Sequence, residues 1–195
     1  MALILERKES LLQEAKRLEK EQFKKQIALL QDYYQRDEVR NKVKEDFAAL
    51  LGKWNRQEEA FSLGIHYLYT NLHNRTYGYR LVLYGEAFYL DERAVEAGWK
   101  PELFFTLLEE DVGEILKPLR KQFPRLCAYE EELVRYHCAA YYQAAICQLC
   151  RDMWSEIVAS EVFEGLPKTK EFVAFFGAYF IFVETITAID TKCKL

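Results

Sequence analysis

The chain has 195 residues, of which 50% are hydrophobic and 30% are charged, and its formal net charge is -4. Because a half-apolar chain of this length can bury a core, the composition excludes intrinsic disorder. The slightly acidic balance argues against a nucleic-acid binder, which needs an excess of Lys and Arg to displace counterions from phosphates. Only 8 Gly and 4 Pro interrupt the chain, and 15% of its residues are aromatic, which favours long helices around an aromatic core.

The amino terminus and the longest apolar run bear on where the protein resides. Residues 1–5 are apolar, but charged residues follow directly from Glu6, so this segment is too short for a signal peptide and we expect a cytoplasmic protein. The longest apolar run, residues 172–183, is shorter than the roughly 20 residues of a membrane span. We therefore expect this run to lie in a core helix and expect no membrane partner.

Residues 6–34 contain no Gly or Pro and are rich in strong helix formers, which predicts a long first helix. Its apolar residues recur at spacings of three and four and form one narrow stripe on a charged helix. The stripe consists of Leu11, Ala15, Leu18, Phe23, Ile27, Leu30 and Tyr34. We interpret residues 1–35 as an amphipathic arm or dimerisation element and residues 36–195 as a single helical-bundle domain.

The next elements follow from similar patterns. A second helix is predicted over residues 37–53, and a third over residues 58–72 because Phe61, Ile65 and Leu68 keep helical spacing. Over residues 79–90 the pattern changes to branched and aromatic residues around Gly85, which favours a small β-hairpin with a tight turn. A helix through that stretch remains the alternative.

Three further helices are predicted over residues 100–117, 127–162 and 169–189. From Tyr136 to Cys150 the chain has no charged residue. A helix that is apolar all round is a buried helix, so this segment should be the central element. The predicted fold is therefore mainly α: an irregular bundle of five to seven helices around a buried central helix, with one hairpin near residues 79–90.

Several kinds of catalytic and metal site can be excluded from spacing alone. No His has a Glu three residues before it, so a di-iron bundle of the Glu-x-x-His type is excluded, and no His-Glu-x-x-His zinc motif occurs. No glycine-rich phosphate loop occurs either. Cys147 and Cys150 share one side of a helix but lack nearby partners for a zinc site, so we predict that both are small buried core residues.

The remaining candidate is a pocket between helices. His137 lies in the uncharged central segment, close in sequence to Tyr141 and Gln143, and His66 is the fourth candidate. One interpretation of His137 is a core histidine that bonds a tyrosine or a carbonyl, and the other is a polar group lining an apolar pocket. No catalytic residue and no metal ligand is predicted.

Function is predicted from these exclusions. We expect a non-enzymatic regulatory or accessory module that binds a protein partner or a small apolar ligand; the alternative is an enzyme or cofactor binder with a pocket near His137. The sequence identifies no cofactor. We expect a homodimer through the first helix, through the last helix or through both, because Phe172, Phe175, Phe176 and Phe180 would be spread around a single last helix.

Overall fold

The computed structural model describes residues 2–179 and 184–188, with side chains described over 6–179 and at 185 and 186. The helices are α1 (Ala2–Gln35), α2 (Asp37–Leu51), α3 (Tyr69–His73), α4 (Glu102–Gln122), α5 (Ala128–Val158) and α6 (Glu161–Glu164). The strands are β1 (Ala60–Tyr67), β2 (Tyr79–Tyr84), β3 (Val95–Trp99), β4 (Lys168–Ala178) and β5 (Glu184–Ala188), and a short 3-10 helix covers Phe88–Leu90.

The five strands form one mixed sheet in the order β3-β2-β1-β4-β5. β1 pairs antiparallel with β2 and parallel with β4, and both outer pairs, β2 with β3 and β4 with β5, are antiparallel. The fold is therefore α+β. The prediction of a mainly α, all-helical bundle with a single hairpin is wrong.

Two predicted helices are strands in the structure. The segment expected to form a helix over residues 58–72 contains β1, and the one expected over residues 169–189 contains β4 and β5; residues 180–183 and 189 lie outside the described part. Both β1 and β4 are covered on both faces over most of their length, so their apolar residues do not alternate with polar ones. In an almost continuous apolar run, some residues always lie three and four positions apart, so the spacing predicts a helix even where the segment is a strand.

The predicted hairpin over residues 79–90 is correct in its first strand only. β2 occupies Tyr79–Tyr84, but the strand that pairs with it is Val95–Trp99, and the segment expected to return as a strand contains the 3-10 helix instead. The connection of residues 85–94 is thus longer than a tight turn. Phe88 adopts a φ of 51°, a left-handed conformation that is strained for a bulky residue.

Four long helices are confirmed, namely α1, α2, α4 and α5. Pro101 precedes α4 as expected, although α4 continues through Pro118 to Gln122. α5 is one 31-residue helix. Cys147 and Cys150 are 3% and 1% exposed, which confirms that they are core residues.

The contacts group the chain into two compact units. The first contains residues 1–34 and 101–146, so it combines α1 with α4 and the first part of α5. Within it, the Tyr34 ring stacks on Phe104 at 5.0 Å between centroids, and Phe23 packs against Tyr141 and Tyr142. Aromatic contacts of this kind hold the helices of this unit to one another.

The second unit contains residues 35–100 and 147–195, and so holds the sheet. One side of the sheet, called here the helix face, carries Tyr79 and Trp99, and Phe47 of α2 packs edge-on against Trp99 at 5.7 Å. Phe172, Phe175 and Phe176, expected to lie around a last helix, are strand residues at most 4% exposed. The last helix therefore does not exist as a dimerisation surface.

The opposite side of the sheet, called here the loop face, carries Val82, Tyr84 and Phe175. The connection of residues 85–94 lies on it, with Phe88 and Tyr89 packed against those three residues. One end of this connection borders the candidate site described next.

Candidate functional site

The four predicted pocket residues lie in different parts of the fold. His137, Tyr141 and Gln143 are half-buried residues of α5 in the first unit, whereas His66 lies on β1 in the second unit. The prediction that His66 belongs to a helix is wrong. Burial lowers the pKa of His137, and the nearby Lys16 ammonium lowers it further.

The first unit contains buried polar groups close to these residues in the fold. Asp111 is fully buried, and both of its carboxylate oxygens accept hydrogen bonds, one from the Tyr142 hydroxyl at 2.5 Å and one from the Gln26 amide at 3.2 Å. Glu19 differs: it is 1% exposed, and neither of its carboxylate oxygens has a hydrogen-bond partner. Burial raises the pKa of Glu19 to about 7, against a smaller lowering effect of Lys16.

His66 is completely buried on the loop face. Its Nε2 lies 2.9 Å from the Tyr84 hydroxyl, and its ring contacts the rings of Tyr84, Tyr89, Phe175 and Tyr179. Burial lowers the pKa of His66 to about 4, outweighing the backbone groups of Gly177 and Ala178, which raise it. The ring is therefore neutral at pH 7. His66 is thus a core histidine that contacts a tyrosine hydroxyl.

A cleft of about 560 Å³ opens at the end of the sheet where β1 begins and β2 ends. This volume lies within the roughly 300–1,000 Å³ typical of small-molecule sites. Nine residues line it: Arg56, Glu58, Glu59, Phe61, Gly85, Glu86, Ala87, Asp91 and Arg93. The lining is thus mostly charged, with an apolar wall formed by Phe61 and Ala87.

Asp91 forms the floor of this cleft and is held by three hydrogen bonds. Its Oδ2 accepts from Arg56 Nη1 at 2.9 Å and from the Gly85 backbone N–H at 3.1 Å, while its Oδ1 accepts from the Arg93 backbone N–H at 3.0 Å. The side chain is 6% exposed. Burial alone would raise the pKa of Asp91, but the hydrogen bonds from Arg56, Arg93 and Gly85 outweigh it and lower the pKa, so Asp91 is charged.

Arg56 contacts both Asp91 and Trp54, although its buried Nη2 has no hydrogen-bond partner among the described residues. Its side chain is 10% exposed, and the guanidinium lies 4.5 Å from the centre of the Trp54 ring, within range of a cation–π contact. The Trp54 indole N–H in turn donates to the Glu58 carbonyl at 3.0 Å, which ties the segment before β1 to the floor. A Cβ on Gly85 would lie 2.8 Å from Asp91 Oδ2, so a larger residue at this position would displace the carboxylate from its hydrogen bonds.

The rim of the cleft carries carboxylates of two kinds. Glu58 pairs with Arg93 at 3.2 Å, and its pKa is lowered by a hydrogen bond from its own backbone and by Arg93. Glu59 and Glu86 are exposed, and neither forms an ion pair with another described residue. Glu59 also lines a second, smaller hollow of about 380 Å³ at the start of β4.

The cleft residues were not identified from the sequence. One local signal exists: Asp91 accepts from the backbone N–H two residues later, an arrangement for which Asp is favoured in turns. The ion pair to Arg56 joins residues 35 positions apart. Nothing in the sequence between these residues indicates that they pair.

No protein-family model, no curated protein and no solved structure matches this chain. Within the described residues, no group of three or more His, Cys, Asp or Glu could hold a metal ion. None of the helices in that part of the chain combines the length and the hydrophobicity needed to cross a membrane. The fold and the site define the class only as an α+β protein with a charged cleft at one end of a mixed sheet.

Proposed function

We propose that this protein is a cytoplasmic, non-enzymatic binding module that holds a small molecule in the cleft beside Arg56 and Asp91. The observation that carries the proposal is the fixed floor of the cleft, where one buried ion pair is tied down by Trp54, Gly85 and the Arg93 backbone. Groups already held in place lose little conformational freedom when a ligand binds, which favours affinity.

The charges of the cleft support binding rather than proton transfer. A catalytic acid that works near neutral pH needs a raised pKa. Two of the cleft carboxylates, on Asp91 and Glu58, have lowered pKa values and therefore remain charged. Fixed charges beside the half-exposed Phe61 ring suit a ligand with a charged part and an apolar part, rather than a purely apolar one.

A screen by thermal unfolding with small charged and amphipathic metabolites tests this proposal. A true ligand at about 100 times its Kd should raise the Tm by about 5–10 °C. Ala87→Trp fills the cleft and should abolish that shift, whereas Ala49→Trp, the same change on the exposed side of α2, should retain it. The proposal fails if no compound binds, or if the shift survives Ala87→Trp in a folded variant.

A second candidate, an enzyme or cofactor binder in the helical unit near His137, has one observation in its favour. Glu19 is a buried carboxylate without a hydrogen-bond partner whose pKa lies at about 7, and such groups are concentrated at functional sites. A metabolite whose binding survives Ala87→Trp but disappears in His137→Ala, with the fold intact by circular dichroism, would favour this candidate over the cleft.

A further inference from the structure

β3, Val95–Trp99, is an edge strand of the sheet and has five residues, an ordinary length for a strand. Its backbone hydrogen bonds within the described residues all go to β2. An edge strand of this kind presents a row of unpaired N–H and C=O groups on its outer side, ready to pair with another strand. Proteins usually block such an edge with charged side chains, Pro or a bulge.

β3 carries little of that protection. Glu96 is its single charged residue, and its carboxylate lies 3.2 Å from Arg80 on the neighbouring strand. Both side chains remain about half exposed, at 49% and 46%. The register places Arg80 directly beside Gly98, a position that has no side chain.

Gly98 is not required by the fold of its own chain. A Cβ built on it would meet nothing within 4 Å, and its φ lies outside the left-handed region that favours glycine. Glycine inside a strand weakens the strand, and it often marks a place where another backbone or a ligand approaches closely. A neighbour outside this chain could occupy the space that Gly98 leaves open.

We propose that β3 pairs antiparallel with β3 of a second copy of this chain, about a two-fold axis at Ala97. This register uses all five residues of the strand. It places Glu96 opposite the partner's Gly98, so that no two carboxylates face each other. Because a two-fold interface uses the same surface twice, each favourable contact occurs on both sides of the axis.

Charge complementarity identifies the second copy as the occupant. In this dimer, three adjacent strands carry in order Arg80, Gly98 and the partner's Glu96, and neighbouring strands lie about 4.8 Å apart. Since Gly98 has no side chain, the partner's Glu96 can extend over it toward Arg80. Each Arg80 then lies between two carboxylates, its own chain's Glu96 and the partner's Glu96, and the two five-stranded sheets become continuous.

Light scattering on a sizing column tests this pairing at tens of micromolar protein. The unchanged protein should run at twice the 23.1 kDa of one chain. Gly98→Glu places a carboxylate opposite the partner's Glu96 twice per dimer and should weaken the dimer about tenfold or more. Gly113→Glu is the matched control, because its Cβ also meets nothing within 4 Å, but on α4, and this variant should remain dimeric.

Two further measurements keep the result decisive. The double variant Glu96→Lys with Gly98→Glu should restore the dimer, since opposite charges then face each other. Hydrogen exchange of the backbone N–H groups of residues 95–99 should slow as protein concentration rises. A monomeric mass for the unchanged protein overturns the proposal, and so does a dimer that Gly98→Glu leaves intact.

Discussion

Ionisation of the buried Glu19 carboxylate is unfavourable, because no hydrogen bond from a described residue compensates for the hydration that the charge loses. The carboxylate is 1% exposed in the first unit, and its pKa of about 7 lies above the ordinary value of 4.5. The folded protein therefore binds more protons than the unfolded chain between pH 4.5 and 7. The contribution of Glu19 to stability consequently falls as the pH rises through this range, by about 3 kcal/mol in total.

The variant Glu19→Gln tests this account, because it keeps the shape of the side chain and cannot be charged. We expect it to raise the free energy of unfolding by about 2–3 kcal/mol at pH 8 and to change it little at pH 4, measured by chemical denaturation. Glu21→Gln, on the exposed side of the same helix, should change the free energy by less than about 0.5 kcal/mol at both pH values. An equal effect of Glu19→Gln at the two pH values would contradict the raised pKa.

At the scale of single elements, β1 depends on Gly64, because the missing side chain leaves room for the His66 ring. A Cβ on Gly64 would lie 2.3 Å from His66 Nε2 and 2.9 Å from Phe175 Cζ. Both rings are buried, so neither can move freely, and the contact between His66 and the Tyr84 hydroxyl depends on the same space. β1 therefore needs glycine at this position for close packing.

We expect Gly64→Ala to lower the free energy of unfolding by about 2–4 kcal/mol, from overpacking and from loss of the contact with Tyr84. Gly113→Ala on α4 is the control, because its Cβ meets nothing within 4 Å. That change should raise stability by about 0.5–1 kcal/mol, since alanine favours a helix. The two alanine variants should thus shift the urea midpoint in opposite directions; a neutral Gly64→Ala would refute the packing account.

The elements that could be predicted from the sequence are those whose residues carry a local signal. α1, α2, α4 and α5 combine helix formers with a stripe or a continuous apolar surface, and Pro101 precedes α4 at the expected place. β1 and β4 carry no such signal, because they are buried on both faces. β3 was missed for another reason: Val95–Trp99 contains Glu, Ala and Gly, residues that are depleted in strands.

The sequence predicts the candidate site less well than it predicts the fold. Histidine is a natural candidate in any sequence because it is a versatile functional residue, yet His66 contacts a tyrosine within an aromatic core. The cleft is built from Arg and carboxylate residues, which are mostly exposed in proteins and therefore do not by themselves indicate a functional site in a sequence. Only the three-dimensional structure shows that Arg56 and Asp91 are at least nine-tenths buried, which is exceptional for charged side chains.

At the scale of the whole molecule, two buried groups oppose each other in their dependence on pH. His66 in the second unit has a pKa of about 4, below the 6.5 of an unfolded chain, so the unfolded state binds the extra proton between these values. The contribution of His66 is therefore lost as the pH falls from 6.5 to 4, by about 3 kcal/mol. Glu19 acts in the opposite direction.

The two pH ranges overlap, so the contributions of Glu19 and His66 nearly cancel between pH 4.5 and 6.5, and we expect these two groups together to change the Tm little there. Removing one group should expose the other: His66→Gln should leave a Tm that falls as the pH rises through this range, and Glu19→Gln a Tm that rises, compared with the unchanged protein. Calorimetry between pH 4 and 8 measures both slopes. A folded His66→Gln variant with the same slope as the unchanged protein between pH 4.5 and 6.5 would show that His66 is not shielded as the structure indicates.

The parallel pairing of β1 with β4 has a consequence for how the chain is synthesised. Ala60 pairs with Lys168, so β1 leaves the ribosome long before β4, the strand that pairs with it in parallel. α1 likewise emerges before α4 and α5, the helices grouped with it. Contacts so distant along the chain slow folding and prolong the exposure of aggregation-prone segments. A nascent chain stopped before residue 168 therefore exposes an apolar strand with one open side, the kind of segment that chaperones bind.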